Sequence, residues 1–183
     1  MTSNSDILKQ GILGARRFSN YLWAVVVTIG GTGFLLAGLS SYLKTNLLMV
    51  SDTSELQFIP QGAALTFYGV AGISLATYLW LLISWNVGGG YNEFNKKTGR
   101  AKIFRWGYPG KNRQVELEIP LEEVQSVRAE IRDGLSPKRT LYLRSQKRRD
   151  VPLTRVGEPI ALSTLENQGA ELARFLEVPL EGL

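Results

Sequence analysis

The sequence of 183 residues contains neither cysteine nor histidine. The absence of cysteine excludes disulfide bonds, thiolate nucleophiles and cysteine ligands for zinc. The absence of histidine removes the side chain that most often transfers protons near neutral pH, and with it the Ser-His-Asp triad. Several large classes of enzyme are therefore excluded. The sequence predicts no catalytic residue, no metal ligand and no cofactor.

Charged residues are missing from two long stretches. The 26 residues between Arg17 and Lys44 and the 37 residues between Glu55 and Glu93 contain no Lys, Arg, Asp or Glu. A helix needs about 20 apolar residues to cross about 30 Å of hydrocarbon. The sequence therefore predicts transmembrane helices at residues 22–43 and 63–85, with a buried core helix as the alternative for each. Aromatic residues typical of membrane interfaces stand near the ends of both segments: Tyr21, Trp23, Tyr42, Tyr78, Trp80 and Trp85.

Basic residues flank the two predicted spans unevenly. Lys9, Arg16 and Arg17 precede the first span, and five basic residues lie between Lys96 and Arg105 after the second. The connecting loop, residues 44–62, carries one. Because short cytoplasmic flanks are rich in Lys and Arg, the N-terminal segment, residues 1–21, and the C-terminal tail are predicted on the cytoplasmic side, which in a thylakoid is the cytoplasmic or stromal side. The loop is predicted in the opposite compartment, which in a thylakoid is the lumen. A cleaved signal peptide is disfavoured, since the first apolar run is too long and no cleavage motif follows it.

Small residues recur at helical spacing in both spans. Such ridges allow close approach of helix backbones in lipid. We expect them to pack the hairpin against itself, with a helix of another protein as the alternative, and they also allow a homo-oligomer. The ridge residues are Gly33, Ala37 and Ser41 in the first span, and Gly69, Gly72 and Ala76 in the second. Neither span contains an ionisable Asp, Glu, Lys or Arg, which argues against a proton relay or an ion-coupled transporter.

The remainder of the chain, residues 86–183, is predicted to form one soluble α+β domain. The run Gly88–Gly90 is interpreted as a hinge. Alternation of apolar and polar residues then predicts six or seven antiparallel strands, with a hairpin turn at residues 96–99 and another turn at 109–112. Ser163 and Glu166 fit a capping box that would start a final amphipathic helix, and Pro179 would stop it. This order of elements resembles the pleckstrin-homology-like fold, an analogy that says little about function.

Several strings in the sequence resemble one family along nearly the whole chain. They are Arg17-Phe18-Ser19-Asn20-Tyr21, Phe58-Ile59-Pro60-Gln61-Gly62, Phe67-Tyr68-Gly69, Tyr78-Leu79-Trp80, residues 85–94, residues 103–113 and residues 176–182. These strings are similar to the photosystem I assembly protein of the thylakoid, the fourth hypothetical reading frame of plastid genomes. The resemblance implies a non-enzymatic, multi-pass thylakoid membrane protein that scaffolds photosystem I biogenesis by transiently holding newly made subunits.

Given that resemblance, we expect the charged tail to dock photosystem I core and stromal-side subunits or their assembly intermediates, next to thylakoid lipid. Opposite charges suit reversible, salt-sensitive contacts. The predicted docking residues are Arg105, Trp106, Lys111 and Arg113 on a strand and turn, and Glu166, Glu177 and Glu181 on or after the helix. The plainer interpretation is that Trp106 belongs to the core and that the glutamates are simply solvated.

Two other functions remain open from the residues. The basic turns containing Lys96/Lys97, Lys111/Arg113, Lys138/Arg139 and Lys147–Arg149 could bind anionic lipid, as in a membrane-tethered scaffold. The chain could also be an auxiliary subunit of another membrane complex. No nucleic-acid partner is predicted, because the aromatic strand motif of an RNA-binding sheet is missing.

Overall fold

A computed structural model describes residues 2–4, 6–48, 50–132, 138–147, 149–154 and 161–182. The chain divides into two compact units, Ala15–Asn86 on the one hand and Met1–Gly14 with Val87–Leu183 on the other. The basic residue Arg148 lies outside the described residues.

The unit Ala15–Asn86 is a helical hairpin. Helix α1 covers Phe18–Leu43, and helix α2 covers Ala63–Trp85 after a short π-helical turn at Phe58–Gly62. Both helices are long and apolar enough to cross a membrane by length and composition. Lys44 and Asn86 end the two helices in the left-handed conformation, a common C-terminal cap. The Arg16 guanidinium donates hydrogen bonds to the Ile83 and Ser84 carbonyl oxygens, each at 3.2 Å, and so satisfies two carbonyls at the end of α2.

Small residues at a seven-residue spacing form the contact between α1 and α2. The buried residues that share this spacing are Ala24, Gly31 and Gly38 on the α1 side, and Gly62, Gly69, Ala76 and Ile83 on the α2 side. A Cβ atom added to Gly31 would lie 2.9 Å from the carbonyl carbon of Gly72, so the two backbones touch there. A heptad spacing keeps one seam of each helix facing its partner along several turns.

The sequence predicted that Gly33, at a spacing of four residues from Ala37, lies on the ridge of α1 that packs in the hairpin, and the structure corrects this position. A Cβ atom added to Gly33 would meet nothing within 4 Å, whereas Gly69 and Gly72 lie against the backbone of α1. Gly31 makes the close approach in its place, because the seam follows the heptad. Ala37, Ser41 and Ala76 are buried. The Ser41 hydroxyl donates to the Leu56 carbonyl oxygen at 2.8 Å, so this side chain anchors the connecting loop.

The second unit is built from two β-sheets. The first sheet has the order β1-β2-β3-β4-β5, and every neighbouring pair is antiparallel. Its strands are β1 Thr2–Asn4, β2 Ile7–Leu13, β3 Gly89–Asn95, β4 Arg100–Trp106 and β5 Gln114–Pro120. The predicted turns at 96–99 and 109–112 are confirmed, because they connect β3 to β4 and β4 to β5.

The second sheet has the order β8-β7-β6-β9 and carries the final helix. Its elements are β6 Val124–Arg132 after a 3-10 turn at Leu121–Glu123, β7 Lys138–Ser145, β8 Val151–Pro152, helix α3 Leu162–Leu176 and β9 Leu180–Glu181. Fully buried residues of both sheets and of α3, such as Phe94, Ile119, Leu143 and Leu172, share one hydrophobic core. The alternation seen in the sequence thus corresponds to a β-rich region of antiparallel pairs closed by a C-terminal helix.

The structure departs from four expectations for this unit. Strands β1 and β2 come from the N-terminus, for which the sequence predicted no strand, and β9 pairs with β6 in parallel rather than antiparallel fashion. Two glycines of the run interpreted as a hinge, Gly89 and Gly90, lie in β3 between two strands, and a Cβ at Gly90 would collide with the Phe104 carbonyl oxygen. Ser163 does not cap α3, since the N-cap is Ala161 and the helix begins at Leu162.

Candidate functional site

Arg105 on β4 is half-buried and links the two sheets. Its guanidinium donates to the carbonyl oxygens of Tyr91 (3.1 Å), Phe104 (2.8 Å) and Leu153 (2.8 Å) and to Asn92 Oδ1 (2.7 Å). Burial lowers the pKa of Arg105. All four acceptors are uncharged, so this arginine acts first as a structural connection within the unit. Its role in docking a partner stays a prediction.

An aromatic row with a cation at each end crosses the outer face of the first sheet. The Tyr91 and Phe104 rings stack with centroids 5.3 Å apart, and Trp106 meets Phe104 edge-on at 5.0 Å. Lys9 Nζ lies 4.1 Å from the centre of the Tyr91 ring, and Arg113 Cζ lies 5.1 Å from the centre of the Trp106 ring. Trp106 is thus partly exposed on the outer face rather than within the core, and Arg113 covers it.

The predicted acidic residues lie elsewhere on the unit. Glu177 forms an ion pair of 2.7 Å with Lys96 in the β3–β4 turn, and the hydrogen bond from Lys96 lowers the pKa of Glu177. Glu181 pairs with Arg144 at 2.9 Å, and its pKa is lowered by the Ser126 hydroxyl and then by Arg144. Glu166 is exposed on α3.

The seven predicted residues therefore do not form one surface. Trp106 and Arg113 lie at one end of β4, together with the turn that carries the exposed Lys111. The turn that carries Lys96 and meets Glu177 lies at the other end of this seven-residue strand. At about 3.3 Å per residue, the two ends are roughly 20 Å apart. The basic residues Lys111 and Arg113 and the acidic residue Glu177 therefore lie near opposite ends of β4, and their role in docking stays a prediction.

An apolar groove of about 320 Å³ opens beside Arg105. It lies between the inner face of the first sheet and the short strand β8 of the second. Its lining residues are Gly88, Ile103, Arg105, Val115, Leu117, Val151, Pro152 and Thr154. Val115 is 54% exposed although it is aliphatic and points to the inner face. The groove is an apolar surface next to the end of the sheet that carries Arg105.

No residue set in the described part of the chain has the composition of a metal site. Within those residues, no group of three or more Asp and Glu side chains converges, and the sequence supplies no His or Cys. The acceptors around Arg105 are neutral oxygens, so this part of the structure places no acid and base together for proton transfer.

Sequence reasoning missed two residues of this region. Asn92 is fully buried, accepts from Arg105 and donates to the Leu153 carbonyl oxygen at 2.9 Å. A polar residue at an inward position of an alternating strand is the signal that could have found it. The sequence identified Lys96 only as one of several basic turn residues. Its ion pair with Glu177 was not predictable from local spacing, because the two residues are 81 positions apart.

The architecture defines a class of protein in which an apolar helical hairpin is inserted in sequence between two adjacent strands of a two-sheet domain. The sequence profile of the Ycf4 family matches residues 5–174, and the chain belongs to this family. The chain is 72% identical to a protein named photosystem I assembly protein Ycf4 in Microcystis aeruginosa, with 100% of the chain and 97% of the relative covered. The chain is 66% identical to a protein of the same name in Synechocystis sp., with 100% of the chain and 97% of the relative covered. It is 61% identical to a protein of the same name in Trichormus variabilis, with 100% of the chain and 92% of the relative covered.

Proposed function

We propose that this chain is a photosystem I assembly factor of the thylakoid membrane that acts without catalysing a reaction. The observation that carries the proposal is similarity along the entire chain to proteins that are named for this role. The residues agree with it, because the sequence lacks the side chains of the commonest catalytic sites. In this role the chain holds newly made subunits and is released from the finished complex.

The helical hairpin is the proposed membrane anchor, with α1 and α2 as the two spans. Connectivity supports placing both ends on one side. Leu13 pairs with Gly89, so the residues before α1 and those after α2 belong to the same sheet. A single sheet lies on one side of a bilayer, and the basic flanks favour the cytoplasmic or stromal side. The loop at residues 44–62 would then face the lumen.

The β-rich unit is the proposed docking part. A two-sheet domain closed by a C-terminal helix is compatible with the pleckstrin-homology-like arrangement, which would supply a rigid frame for contacts. The basic end with Lys111 and Arg113 and the acidic side chains of Glu166, Glu177 and Glu181 are the proposed contacts. Exposed charges are screened by salt, so this docking is reversible and weakens with ionic strength.

Affinity purification of the tagged full chain from thylakoids in mild detergent tests the proposal. We expect newly synthesised photosystem I core and stromal-side subunits to co-purify after a short isotope pulse and to disappear from the sample during the chase. Recovery of the mature complex only, of another membrane complex, or of lipid without protein would contradict the assembly role. The last two outcomes would favour the auxiliary-subunit and lipid-scaffold functions.

A pair of charge reversals locates the contact. Arg113→Glu should reduce the co-purified subunits, because it removes the cation beside Trp106. Arg149→Glu makes the same change of charge at another exposed arginine and should leave recovery unchanged. Equal effects of the two variants would show that only net charge matters, and the proposed contact at Arg113 would be wrong.

A further inference from the structure

The chain leaves the β-rich unit and returns to it at two neighbouring points. Leu13, the last residue of β2, pairs with Gly89, the first residue of β3. A Cβ atom added to Gly14 would collide with the backbone of Gly89, so the outgoing and returning chains touch. The Gly88 amide donates to the Trp106 carbonyl oxygen at 2.7 Å, which places the end of β4 beside the same point. This end of the first sheet, marked by Leu13, Gly89 and Trp106, is the exit end.

The outer face of the first sheet changes from charged to uncharged toward the exit end. The antiparallel register aligns its residues in rows across β2, β3, β4 and β5. One row consists of four charged residues of alternating sign, namely Lys9, Glu93, Lys102 and Glu118. The next row toward the exit end contains the stacked rings of Tyr91 and Phe104. The residues at the exit end itself carry no charge, and they are Leu13, Gly89, Trp106 and Gln114.

Apolar, aromatic and basic side chains are exposed together at the exit end. Leu13 is 69% exposed, and Tyr108, in the turn that follows Trp106, is 56% exposed. Lys111 and Arg113 are exposed in the same turn. Trp and Tyr are enriched at the boundary between lipid and water, and basic side chains are attracted to anionic headgroups. The exit end therefore has the composition of a surface that contacts a membrane.

Short connections keep the exit end close to the proposed membrane spans. Four peptide steps separate Gly14 from Phe18, where α1 begins, and three separate Trp85, where α2 ends, from Gly88. At no more than about 3.6 Å per residue, these connections extend at most about 14 Å and 11 Å. If α1 and α2 cross a bilayer, the exit end is consequently within reach of the headgroups.

We propose that the exit end is seated in the headgroup layer of the membrane, with Leu13, Trp106 and Tyr108 at the boundary between lipid and water. Lys111 and Arg113 then lie at the level of the headgroups, where a subunit in the same membrane can reach them. The charged row farther along the strands stays in water. The inference rests on the proposed function, because it places the proposed basic contact at the membrane surface. A protein partner that covers these residues instead would leave them open to water when the chain is alone in lipid.

Site-specific fluorescence of the full chain in lipid nanodiscs tests the inference. Because the chain has no cysteine, a nitrobenzoxadiazole label can be attached at one introduced cysteine. Asn112→Cys places the label in the exposed turn at the exit end, and Thr98→Cys places it in the exposed turn at the opposite end of β4. Ile29→Cys places it on an exposed position near the middle of α1. The lipids are phosphatidylcholine and phosphatidylglycerol in equal parts, with nitroxides either on the headgroups or deep in the acyl chains.

The labels at the two ends of β4 should respond differently. We expect headgroup nitroxides to remove about half or more of the emission at Asn112→Cys, because the headgroup region is only roughly 5–8 Å thick on each side. The label at Thr98→Cys, roughly 20 Å away along the strand, should keep its emission. Iodide in the water should quench the label at Thr98→Cys more strongly than the label at Asn112→Cys.

A variant of the exit end provides the matched comparison. Leu13→Asp exchanges an apolar contact for a charge at an exposed position, so it should increase the iodide quenching at Asn112→Cys about twofold. Thr98→Asp makes the same change of net charge at the opposite end of β4 and should have no effect. Equal quenching at the two ends, or no response to Leu13→Asp, would overturn the inference and leave the proposed anchor intact. If deep nitroxides fail to quench the label at Ile29→Cys, the hairpin does not span the membrane, and the proposed anchor is wrong together with the inference.

Discussion

Replacing Gly69 by alanine should destabilise the helical hairpin, although alanine is the better helix former. The added Cβ would lie 2.5 Å from the Leu35 Cα atom, whereas ordinary contacts of a Cβ begin at 3.4 Å. Leu35 contributes backbone at this point, so it cannot rotate away. The helices must separate by roughly 1 Å, or the added methyl group must be accommodated by bending one of them.

The magnitude follows from two opposing effects. Overpacking of a tight contact costs about 1–3 kcal/mol. Alanine recovers about 0.8–1 kcal/mol of helix propensity relative to glycine. The contact effect is the larger one, because the separation would also weaken the neighbouring approach of Gly31 to Gly72 and the hydrogen bond of 3.0 Å from Trp80 Nε1 to the Thr28 hydroxyl. We expect a net loss of about 1–2 kcal/mol, a factor of roughly 5–30 in the folded-to-unfolded ratio.

Titration of the detergent-solubilised chain with SDS, followed by tryptophan fluorescence and helical circular dichroism, measures this loss. Gly33→Ala is the matched control, because the same methyl group added there meets nothing within 4 Å. It should leave stability unchanged or raise it by up to about 1 kcal/mol. If the two substitutions shift the transition equally, the heptad contact is wrong. A larger loss for Gly33→Ala would instead restore the ridge expected from the sequence.

Three further predictions concern the β-rich unit. Arg105→Gln should lower the free energy of unfolding of this unit in urea by about 2–4 kcal/mol, because three carbonyl oxygens and Asn92 Oδ1 lose the hydrogen bonds that Arg105 donates. Arg105→Lys should recover only a small part of the lost free energy. The charge swap Lys96→Glu with Glu177→Lys should restore the melting temperature lost in Glu177→Lys alone, and failure of the swap would argue against the ion pair. Lys96 lowers the pKa of Glu177, so the ion pair between them stabilises the folded chain above pH 4.5 and this stabilisation is lost as the pH falls further. Acidification should therefore lower the melting temperature less in Glu177→Gln than in the unaltered chain.

Local signals in the sequence located much of the β-rich unit. The β3–β4 turn was predictable because Gly99 can adopt its positive φ of 64°, and the alternation in residues 115–119 identified the inward side of β5. Strand β2 could not be found in this way. The buried residues of β2 are the apolar Leu8 and the polar Gln10, so burial does not follow an apolar pattern. Strand β3, with which β2 pairs, starts 76 positions after β2 ends at Leu13.

The candidate site was less predictable than the fold for a related reason. Composition identified Arg105 as basic, but whether an arginine faces a partner or bridges two sheets depends on Asn92 and on the Leu153 carbonyl oxygen. The groove depends on two strand edges that are more than 30 residues apart in sequence, at Val115 and Val151. Both features arise from tertiary contacts, which a local pattern does not encode.

Insertion of the hairpin between two paired strands couples the anchor to the domain. Strand β2 ends at Leu13, before α1, and bonds along its whole length to β3, which follows α2. Leu8 of β2 is 1% exposed and belongs to the common core, so the core is incomplete without the N-terminal strand. If α1 and α2 are the membrane spans, this pairing requires that both have been inserted with their outer ends on the same side. The β-rich unit reaches its full stability only when β2 has paired with β3, on the far side of the hairpin in sequence. Removal of residues 1–14 should therefore destabilise the β-rich unit although it leaves α1 and α2 intact, because Leu8 leaves the core and β3 loses a neighbour.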